Sequence, residues 1–381
     1  MGKKKNRKSK IRADFKKKHD SQVRKKDFTE HAHGDSDDES IVSGQRISGK
    51  GDLTRRRTIV GEMVGSAETG FQVHLEIDEQ NCLPGRVLSV HGLNTIVETE
   101  QGNFECATRG LLKNLATDLQ HVVIAGDHVM IRPAPDLQGL IVRVEPRKSV
   151  ISRTSRGKRQ IIVSNVDQAL IVCSAAEPRI KPGLIDRYLV SIEQQGKVSP
   201  VIVINKIDLV DSAELQPLIG VWSAVGYQVL LVSAETGQGM SLLKETVAGK
   251  DSVVTGQSGV GKSSILNSID PQLNLRTSHV SMDSEKGRHT TTSAVLIPIG
   301  GGGHIVDTPG IRQFQLWDVS REEIEGCFPD IRPFINGCKF ADCSHRHESD
   351  CAVKNAVADG MLDLRRYESY VGMYEESDRG T

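Results

Sequence analysis

The sequence has few aromatic residues and no long apolar run. Of its 381 residues, 4% are aromatic and 37% are hydrophobic, which is a composition typical of globular proteins. No window approaches the ~20 consecutive apolar residues that a membrane span needs. The charged start is not followed by the apolar segment of a signal peptide. We therefore expect a cytoplasmic protein of two or three domains that has no membrane partner.

Cysteines are few and odd in number, which argues against a disulfide framework. There are seven, and the first three are scattered along the chain. A Cys-x4-Cys-x-His-x5-Cys pattern groups Cys338, Cys343, His345 and Cys351. Three thiolates and one imidazole suit tetrahedral Zn²⁺ and leave no open position, so the pattern predicts one structural zinc on which local folding depends. His347 is an alternative to His345, and Cys327 is placed outside the set.

The formal net charge is zero, but the charges are unevenly distributed along the chain. Residues 1–26 hold thirteen Lys or Arg against two Asp. Such a segment cannot bury itself, so residues 1–57 are predicted to form a disordered basic arm. Contact with nucleic-acid phosphates is favoured over a solubilising tail, because each neutralised phosphate releases counterions. Residues 147–160 form a basic linker that is open to the same two interpretations.

The hydrophobic pattern predicts three further domains. In residues 58–146, short apolar alternations separated by turn residues predict an all-β OB-fold barrel that binds RNA, with an SH3-like barrel as the alternative. In residues 161–316, short β-branched runs alternate with segments whose apolar residues have helical spacing. This pattern predicts a doubly wound α/β sheet. The runs predicted to be parallel strands are Ala169–Cys173, Val201–Ile204, Val229–Val232, Ser252–Thr255, Val295–Ile299 and His304–Val306. Residues 317–381 are predicted to be mostly helical, with the tyrosines of a final helix, Leu362–Tyr374, packed onto the domain.

A phosphate-binding loop of the form Gly-x4-Gly-Lys-Ser lies between a predicted strand and a predicted helix. Glycine lets the backbone turn tightly and aim its N–H groups at phosphate oxygens. Lys262 is expected to reach the β- and γ-phosphates, and the Ser263 hydroxyl to ligate Mg²⁺. The residues predicted to contact GTP here are Gly256, Gln257, Ser258, Gly259, Val260, Gly261, Lys262, Ser263 and Ser264.

A guanine-recognition motif, Asn-Lys-x-Asp, precedes this loop in the chain. It consists of Asn205, Lys206, Ile207 and Asp208. Asp208 can accept hydrogen bonds from the guanine N1–H and 2-amino groups, which adenine does not offer. The motif follows a predicted strand, at the carboxyl end where open α/β sheets bind ligands. Ser233 and Ala234 form a small-residue turn predicted to complete the guanine site.

Two further segments supply candidate switch residues. Asp307-Thr-Pro-Gly310 follows a predicted strand, and we expect Asp307 to hold Mg²⁺ through water and the Gly310 N–H to sense the γ-phosphate. Ile311 follows where many GTPases carry a water-orienting Gln, so a catalytic group must come from elsewhere. Thr291, or a neighbouring threonine, is predicted to complete the Mg²⁺ shell. His289 is a candidate for orienting water, with an exposed loop histidine as the alternative.

The guanine reader thus precedes the phosphate loop, the reverse of the usual GTPase order. On these motifs the chain resembles the RsgA (YjeQ/YloQ) family of circularly permuted GTPases. The resemblance implies an OB-fold, a central GTPase domain and a zinc domain. It also implies slow GTP hydrolysis that the small (30S) ribosomal subunit stimulates, release after late subunit maturation, and a catalytic role for His289. The implied partners are that subunit with its rRNA and GTP or GDP, and we expect a monomer. The alternatives are a non-catalytic GTP-gated RNA-binding switch and a translocation or membrane-associated GTPase.

Overall fold

The chain forms two compact units in the computed structural model. One unit comprises residues 1–123 and 127–146, and the other comprises 124–126 and 147–381. Within them the structure describes residues 10–13, 57–64, 72–75, 81–92, 94–108, 123–155, 158–275, 294–307, 319 and 321–379.

The described residues of the first unit form two arrangements of strands. A small sheet has the order β1-β2-β3, formed by β1 (Lys10–Ala13), β2 (Arg57–Val64) and β3 (Gln72–Leu75). The second arrangement has the order β4-β5-β6-β8-β7, and β7 pairs back with β4 to close it. Its strands are β4 (Leu83–His91), β5 (Asn94–Thr99), β6 (Gly102–Thr108), β7 (His128–Ala134) and β8 (Gln138–Val144).

Closure of these five strands gives an OB-like barrel, the first of the two predicted alternatives. Strands β6 and β8 pair in parallel, and the other neighbours are antiparallel. A bulge between Val87 and Ser89 interrupts the β4–β5 register, and such a bulge bends a strand and increases its twist. The interior is filled by apolar side chains that alternate along the strands, including Val97, Phe104 and Ile131, each at most 4% exposed.

A mostly parallel sheet forms the centre of the second unit. Its order is β13-β12-β11-β14-β16-β15. The strands are β11 (Gln168–Ser174), β12 (Ser199–Asn205), β13 (Gln228–Leu231), β14 (Lys250–Thr255), β15 (Val295–Pro298) and β16 (Gly303–Asp307). Every residue of β11 is buried, which explains the unbroken apolar run, because helices cover both faces of such a sheet. A separate hairpin pairs β9 (Val150–Ser155) with β10 (Lys158–Ser164).

The predicted parallel direction of the strand at Val295–Ile299 is wrong. Strand β15 runs antiparallel to β16, with Val295 opposite Asp307 and Pro298 opposite His304. Only residues 299–302 connect the two strands. Parallel neighbours need a crossover of a dozen residues or more, so this short connection permits only a hairpin.

Among the described residues, four helices lie between or directly after strands of the sheet, and four more follow it. The first four are α1 (Pro182–Glu193), α2 (Gln216–Val225), α3 (Met240–Val247) and α4 (Lys262–Ile269). Short 3-10 turns lie at Ile207–Leu209, Ser212–Leu215 and Pro271–Leu273. The C-terminal region contains α5 (Arg321–Ile324), a 3-10 turn at Glu325–Cys327, α6 (Arg332–Ile335), α7 (Ala352–Ala358) and α8 (Leu364–Arg379). In the parts of the chain described here, no helix has the length and apolar character to cross a membrane.

The C-terminal helices share one hydrophobic core with α1. Val190 of α1 packs in a buried cluster with Phe328, Val353, Tyr370 and Met373. Tyr370 is fully buried, and its ring meets Phe328 edge to face with 5.8 Å between centroids. The tyrosines of the last helix therefore pack onto the domain, as predicted. This core ties the C-terminal region to the sheet-bearing part of the same unit.

Candidate functional site

The predicted phosphate loop spans the gap between strand β14 and helix α4. Gly256 and Gly261 have φ angles of 138° and 93°, which favour glycine. A Cβ at Gly256 would lie 2.0 Å from the Val172 carbonyl oxygen, and one at Gly261 would lie 2.3 Å from Asn205 Nδ2. Glycine is thus required both by the backbone conformation and by close neighbours. Lys262 begins α4, and its Nζ donates to the carbonyl oxygens of Gly256 at 2.8 Å and Gln257 at 2.5 Å.

Asn205 joins the predicted guanine motif to the phosphate loop. It ends β12 and is only 2% exposed. Its Nδ2 donates to the Val260 carbonyl oxygen at 3.0 Å, and its Oδ1 accepts from the Ala234 N–H at 3.1 Å. One side chain therefore holds three of the predicted elements in register: the Asn-Lys-x-Asp motif, the small-residue turn and the loop.

Lys206 and Asp208 are placed differently from Asn205. Lys206 has a φ of 63°, and its Nζ donates to the carbonyl oxygens of Glu177 at 2.6 Å and Gly259 at 2.8 Å. Asp208 lies in the following 3-10 turn, next to buried Ile207, and its side chain is exposed. The turn fixes the backbone while it leaves the Asp208 carboxylate accessible to a base.

The described site elements meet at the carboxyl ends of adjacent parallel strands. Strand β11 pairs with both β12 and β14, and β14 pairs with β16. Asn205 ends β12, and Asp307 ends β16. Ser263 and Ser264 are residues two and three of α4, where N–H groups favour an anion. Ser233 is fully buried, and its Oγ accepts from the Thr236 N–H at 3.1 Å.

Three predicted site residues lie outside the described residues: His289, Thr291 and Gly310. Asp307 is placed through its backbone alone. The hydroxyl of Ser263 and a carboxylate at Asp307 are oxygen donors of the kind that Mg²⁺ prefers. Ser263 is in α4, the helix that follows β14, and Asp307 ends β16, which pairs with β14. Their chemistry and placement fit a magnesium ion bound with nucleotide phosphates.

The four predicted zinc ligands lie together in the C-terminal region. The ligand atoms of Cys338, Cys343, His345 and Cys351 are all within 4.8 Å of one another. His345 Nδ1 lies 3.4 Å from the Sγ atoms of both Cys338 and Cys351, which are 3.9 Å apart. His345 is 1% exposed. The rival fourth ligand, His347, has a side chain that is 77% exposed.

These distances fit a tetrahedral zinc ion. With Zn–S near 2.3 Å and Zn–N near 2.0 Å, tetrahedral ligand atoms would lie about 3.8 Å apart for two sulfurs and about 3.5 Å apart for sulfur and nitrogen. Burial is the largest cause that raises the pKa of the Cys343 thiol to about 12, and the neighbouring thiols of Cys351 and Cys338 act in the same direction. Thiolates in this cluster therefore require a compensating cation, which a metal supplies by replacing the protons.

Comparison with known proteins identifies the family. A family model described as RsgA GTPase matches residues 144–317. The small ribosomal subunit biogenesis GTPase RsgA of Gemmatimonas aurantiaca is 43% identical over 288 residues, which cover 74% of this chain and 92% of the relative. The protein of the same name from Chlorobaculum parvum is 37% identical over 310 residues, covering 78% and 98%. The chain belongs to the RsgA GTPase family.

Solved structures of the family agree with this assignment. YjeQ from Thermotoga maritima superposes with a TM-score of 0.66 at 35% identity, over 78% of this chain and 98% of that one. YloQ, described as a circularly permuted GTPase, gives a TM-score of 0.63 at 30% identity, over 80% and 98%. Circular permutation in this chain is visible in the strand order, because the strand that carries Asn205 precedes the strand that leads into the phosphate loop.

The segment after β11 also belongs to the site, although it was not predicted from the sequence. The Glu177 carbonyl oxygen accepts from Lys206 Nζ at 2.6 Å, so this segment braces the guanine motif. A signal was available, because Ser174-Ala175-Ala176 is a run of small residues directly after a buried strand, at the edge where the other motifs lie. Small residues after such a strand indicate close approach of neighbouring loops.

Proposed function

We propose that this protein is a GTPase that binds the small ribosomal subunit and its rRNA, assists late maturation of that subunit, and dissociates after hydrolysing GTP to GDP and phosphate. We further propose that it acts as a cytoplasmic monomer whose slow intrinsic turnover is stimulated by the subunit. The observation that carries the nucleotide assignment is the double hydrogen bond of Asn205, to Val260 and Ala234. It links the predicted guanine reader to the phosphate loop and so supports their action as one binding site. The printed names of the relatives, small ribosomal subunit biogenesis GTPases, support the choice of partner.

In this proposal Asp208 selects the base. Its exposed carboxylate accepts from N1–H and the 2-amino group of guanine, whereas adenine has no matching donors. Asn205 braces the other elements of the pocket, and Ser233 and Ala234 form its rim. The Lys206 stem packs along the ring, held in place by its bonds to the Glu177 and Gly259 carbonyl oxygens.

The phosphates bind to the loop and the start of α4. The N–H groups of residues 256–264 surround phosphate oxygens, and the positive end of α4 favours their charge. Lys262 then exchanges its bonds to the Gly256 and Gln257 carbonyl oxygens for the β- and γ-phosphates. Ser263, Asp307 and Thr291 would hold Mg²⁺, which would supply positive charge to neutralise the phosphates when bound. The Gly310 N–H reports the γ-phosphate, and His289 orients the attacking water.

We propose that Cys338, Cys343, His345 and Cys351 hold one structural Zn²⁺. With four protein ligands the ion has no open position, so it supplies a cross-link to the C-terminal region and takes no part in hydrolysis. RNA contact is assigned to the OB-like barrel and to the basic segments 1–57 and 147–160, whose charge favours phosphate. Few aromatic residues in the barrel region favour contact with RNA shape and backbone over base stacking.

The decisive experiment compares GTP turnover alone, with purified small subunits and with large subunits. We expect stimulation by small subunits only. His289→Ala should retain GTP binding and lose the stimulated rate, and a wild-type rate would remove His289 from the mechanism. If no subunit stimulates turnover, a GTP-gated RNA-binding switch without catalysis becomes the better description. A salt-sensitive association with rRNA should accompany either outcome.

A further inference from the structure

The two ring nitrogens of His345 face different partners. Nδ1 points to the thiols of Cys338 and Cys351, at 3.4 Å from each Sγ. Nε2 lies 2.9 Å from Oε2 of Glu325, which is part of the 3-10 turn after α5. Glu325 is separated from His345 by twenty residues of sequence and lies outside the group of metal-ligating residues. The carboxylate side chain is 31% exposed, whereas the histidine ring is buried.

The backbone at His345 is fixed by other groups. His345 has a φ of 57°, an uncommon value for a residue other than glycine. The Tyr367 hydroxyl donates to the His345 carbonyl oxygen at 2.7 Å, and the Tyr370 hydroxyl donates to the Ser344 carbonyl oxygen at 3.1 Å. Glu348 accepts from the N–H groups of Ser344 at 2.8 Å and Arg346 at 3.0 Å. These contacts place the main chain but do not decide which ring nitrogen carries the proton.

The proton's position matters because a neutral imidazole donates through one nitrogen and offers a lone pair on the other. A carboxylate beside Nε2 favours the tautomer with the proton on Nε2. That tautomer directs the Nδ1 lone pair at the cysteine sulfurs. Carboxylates in this position also make the ligating nitrogen more basic.

We propose that Glu325 is a positioning residue for the metal centre, accepting the Nε2 hydrogen of His345 so that Nδ1 is held ready to bind the ion. This inference rests on the proposed zinc site and adds to it a residue that is not itself a ligand. The segment that carries Glu325 is joined to α1, because Gln194 Nε2 donates to Glu323 at 3.1 Å and Arg332 donates to Glu193 at 3.0 Å. Glu325 therefore connects the metal loop to a segment anchored on the sheet-bearing part of the unit.

The first test measures zinc affinity of the full-length protein by competition with a chromogenic chelator. Glu325→Ala should weaken binding about 10–100-fold, the usual cost of losing such a partner. Glu325→Gln keeps an acceptor oxygen and should recover part of that loss. Glu323→Ala is the matched control, since Glu323 lies two residues earlier and bonds to Gln194. It should bind zinc like the wild type.

The second test needs no variant and reads the tautomer directly. Long-range ¹H–¹⁵N correlation spectra of the zinc-loaded protein should show His345 protonated on Nε2 and metal-bound through Nδ1. The reverse assignment would overturn the proposal, as would a Glu325→Ala variant whose zinc affinity stays within twofold of wild type. A wild-type protein that takes up no zinc would instead refute the metal centre itself. The two failures are thus distinguishable.

Discussion

The structure predicts that Arg366 is a main stabiliser of the second unit. Its side chain is 1% exposed and binds two carboxylates. Nε and Nη2 donate to Asp330, both at 2.9 Å, and Nη1 donates to Asp186 at 2.5 Å. Asp186 is equally buried and also accepts from Trp222 Nε1 at 3.0 Å. The guanidinium lies 4.6 Å from the centroid of the Phe328 ring.

This network joins four separate segments of the unit. Asp186 is in α1, Trp222 in α2, Asp330 just before α6, and Arg366 in α8. Burial alone would lower the pKa of Arg366, but its hydrogen bonds to Asp330 and the charges of Asp186 and Asp330 raise that pKa above its usual value. Arg366 is therefore charged wherever the protein is folded. Its removal would leave the Asp186 carboxylate buried, with the Trp222 N–H as the donor that still faces it in this network.

Breaking a buried ion pair by removing one partner costs about 3–5 kcal/mol, because the remaining charge is uncompensated. We expect Arg366→Ala to lower the free energy of unfolding by this amount. Arg366→Lys should restore only part of the loss, since an ammonium cannot reproduce the planar two-pronged contact with Asp330. The measurement is urea denaturation followed by Trp222 fluorescence, in a Trp317→Phe background so that one tryptophan reports.

Arg365→Ala provides the matched control. Arg365 immediately precedes Arg366 in the same helix. Its ion pair with Asp363 is at the surface, where the side chains of Arg365 and Asp363 are 41% and 34% exposed. Surface pairs contribute about 0–1 kcal/mol, so this variant should unfold close to the wild type. If Arg366→Ala cost no more than Arg365→Ala, the reasoning from burial would be refuted.

Three further predictions address the nucleotide site and the edge of the sheet. Asp208→Asn should shift preference from guanine toward xanthine nucleotides, and unchanged GTP affinity in a titration would contradict the base assignment. Lys262→Ala should abolish tight triphosphate binding, measured by calorimetry, while the thermal melt stays near wild type. The N–H groups of Gly300 and Gln272 hold the pKa of Asp270 below its ordinary value of 3.8. Its stabilising contribution is therefore present above that pH and lost as the pH falls through the lowered pKa. The difference in stability between wild type and Asp270→Ala should shrink on acidification below pH 3.8, and a difference that grew there would show the opposite linkage.

Local patterns were enough to predict most of the sheet. Buried parallel strands need continuous apolar runs, and the run at Ala169–Cys173 falls within β11. The role of the glycines in the phosphate loop was also predictable, because the backbone must turn tightly to aim its N–H groups at phosphate oxygens. The direction of β15 was predicted wrongly, because an apolar run by itself carries no information on direction. The four residues between the runs Val295–Ile299 and His304–Val306 already allow only a hairpin.

Long-range polar contacts could not be predicted. Arg366 and Asp186 are separated by 180 residues, and nothing in either local sequence marks a buried charge. The same is true of Glu325 beside His345, because the ligand spacing identifies the metal-binding residues and not their hydrogen-bond partners. The sequence pattern favoured His345 and left His347 as an alternative. Both positions suit a ligand by spacing, and burial of one ring and exposure of the other separates them.

The permuted chain order has a physical consequence for how a nucleotide-dependent movement would spread. Strand β16 ends at Asp307, and residues 308–320 lead directly to α5. Contacts that hold the segment beginning there include those of Gln194 with Glu323 and of His345 with Glu325. In an unpermuted GTPase the chain that follows this strand would form further elements of the nucleotide-binding domain. Here only thirteen residues of sequence separate Asp307 from α5, so a displacement that began at Asp307 would be directed toward a segment that these contacts hold. The response of the C-terminal region to GTP should therefore depend on whether Glu325 holds His345.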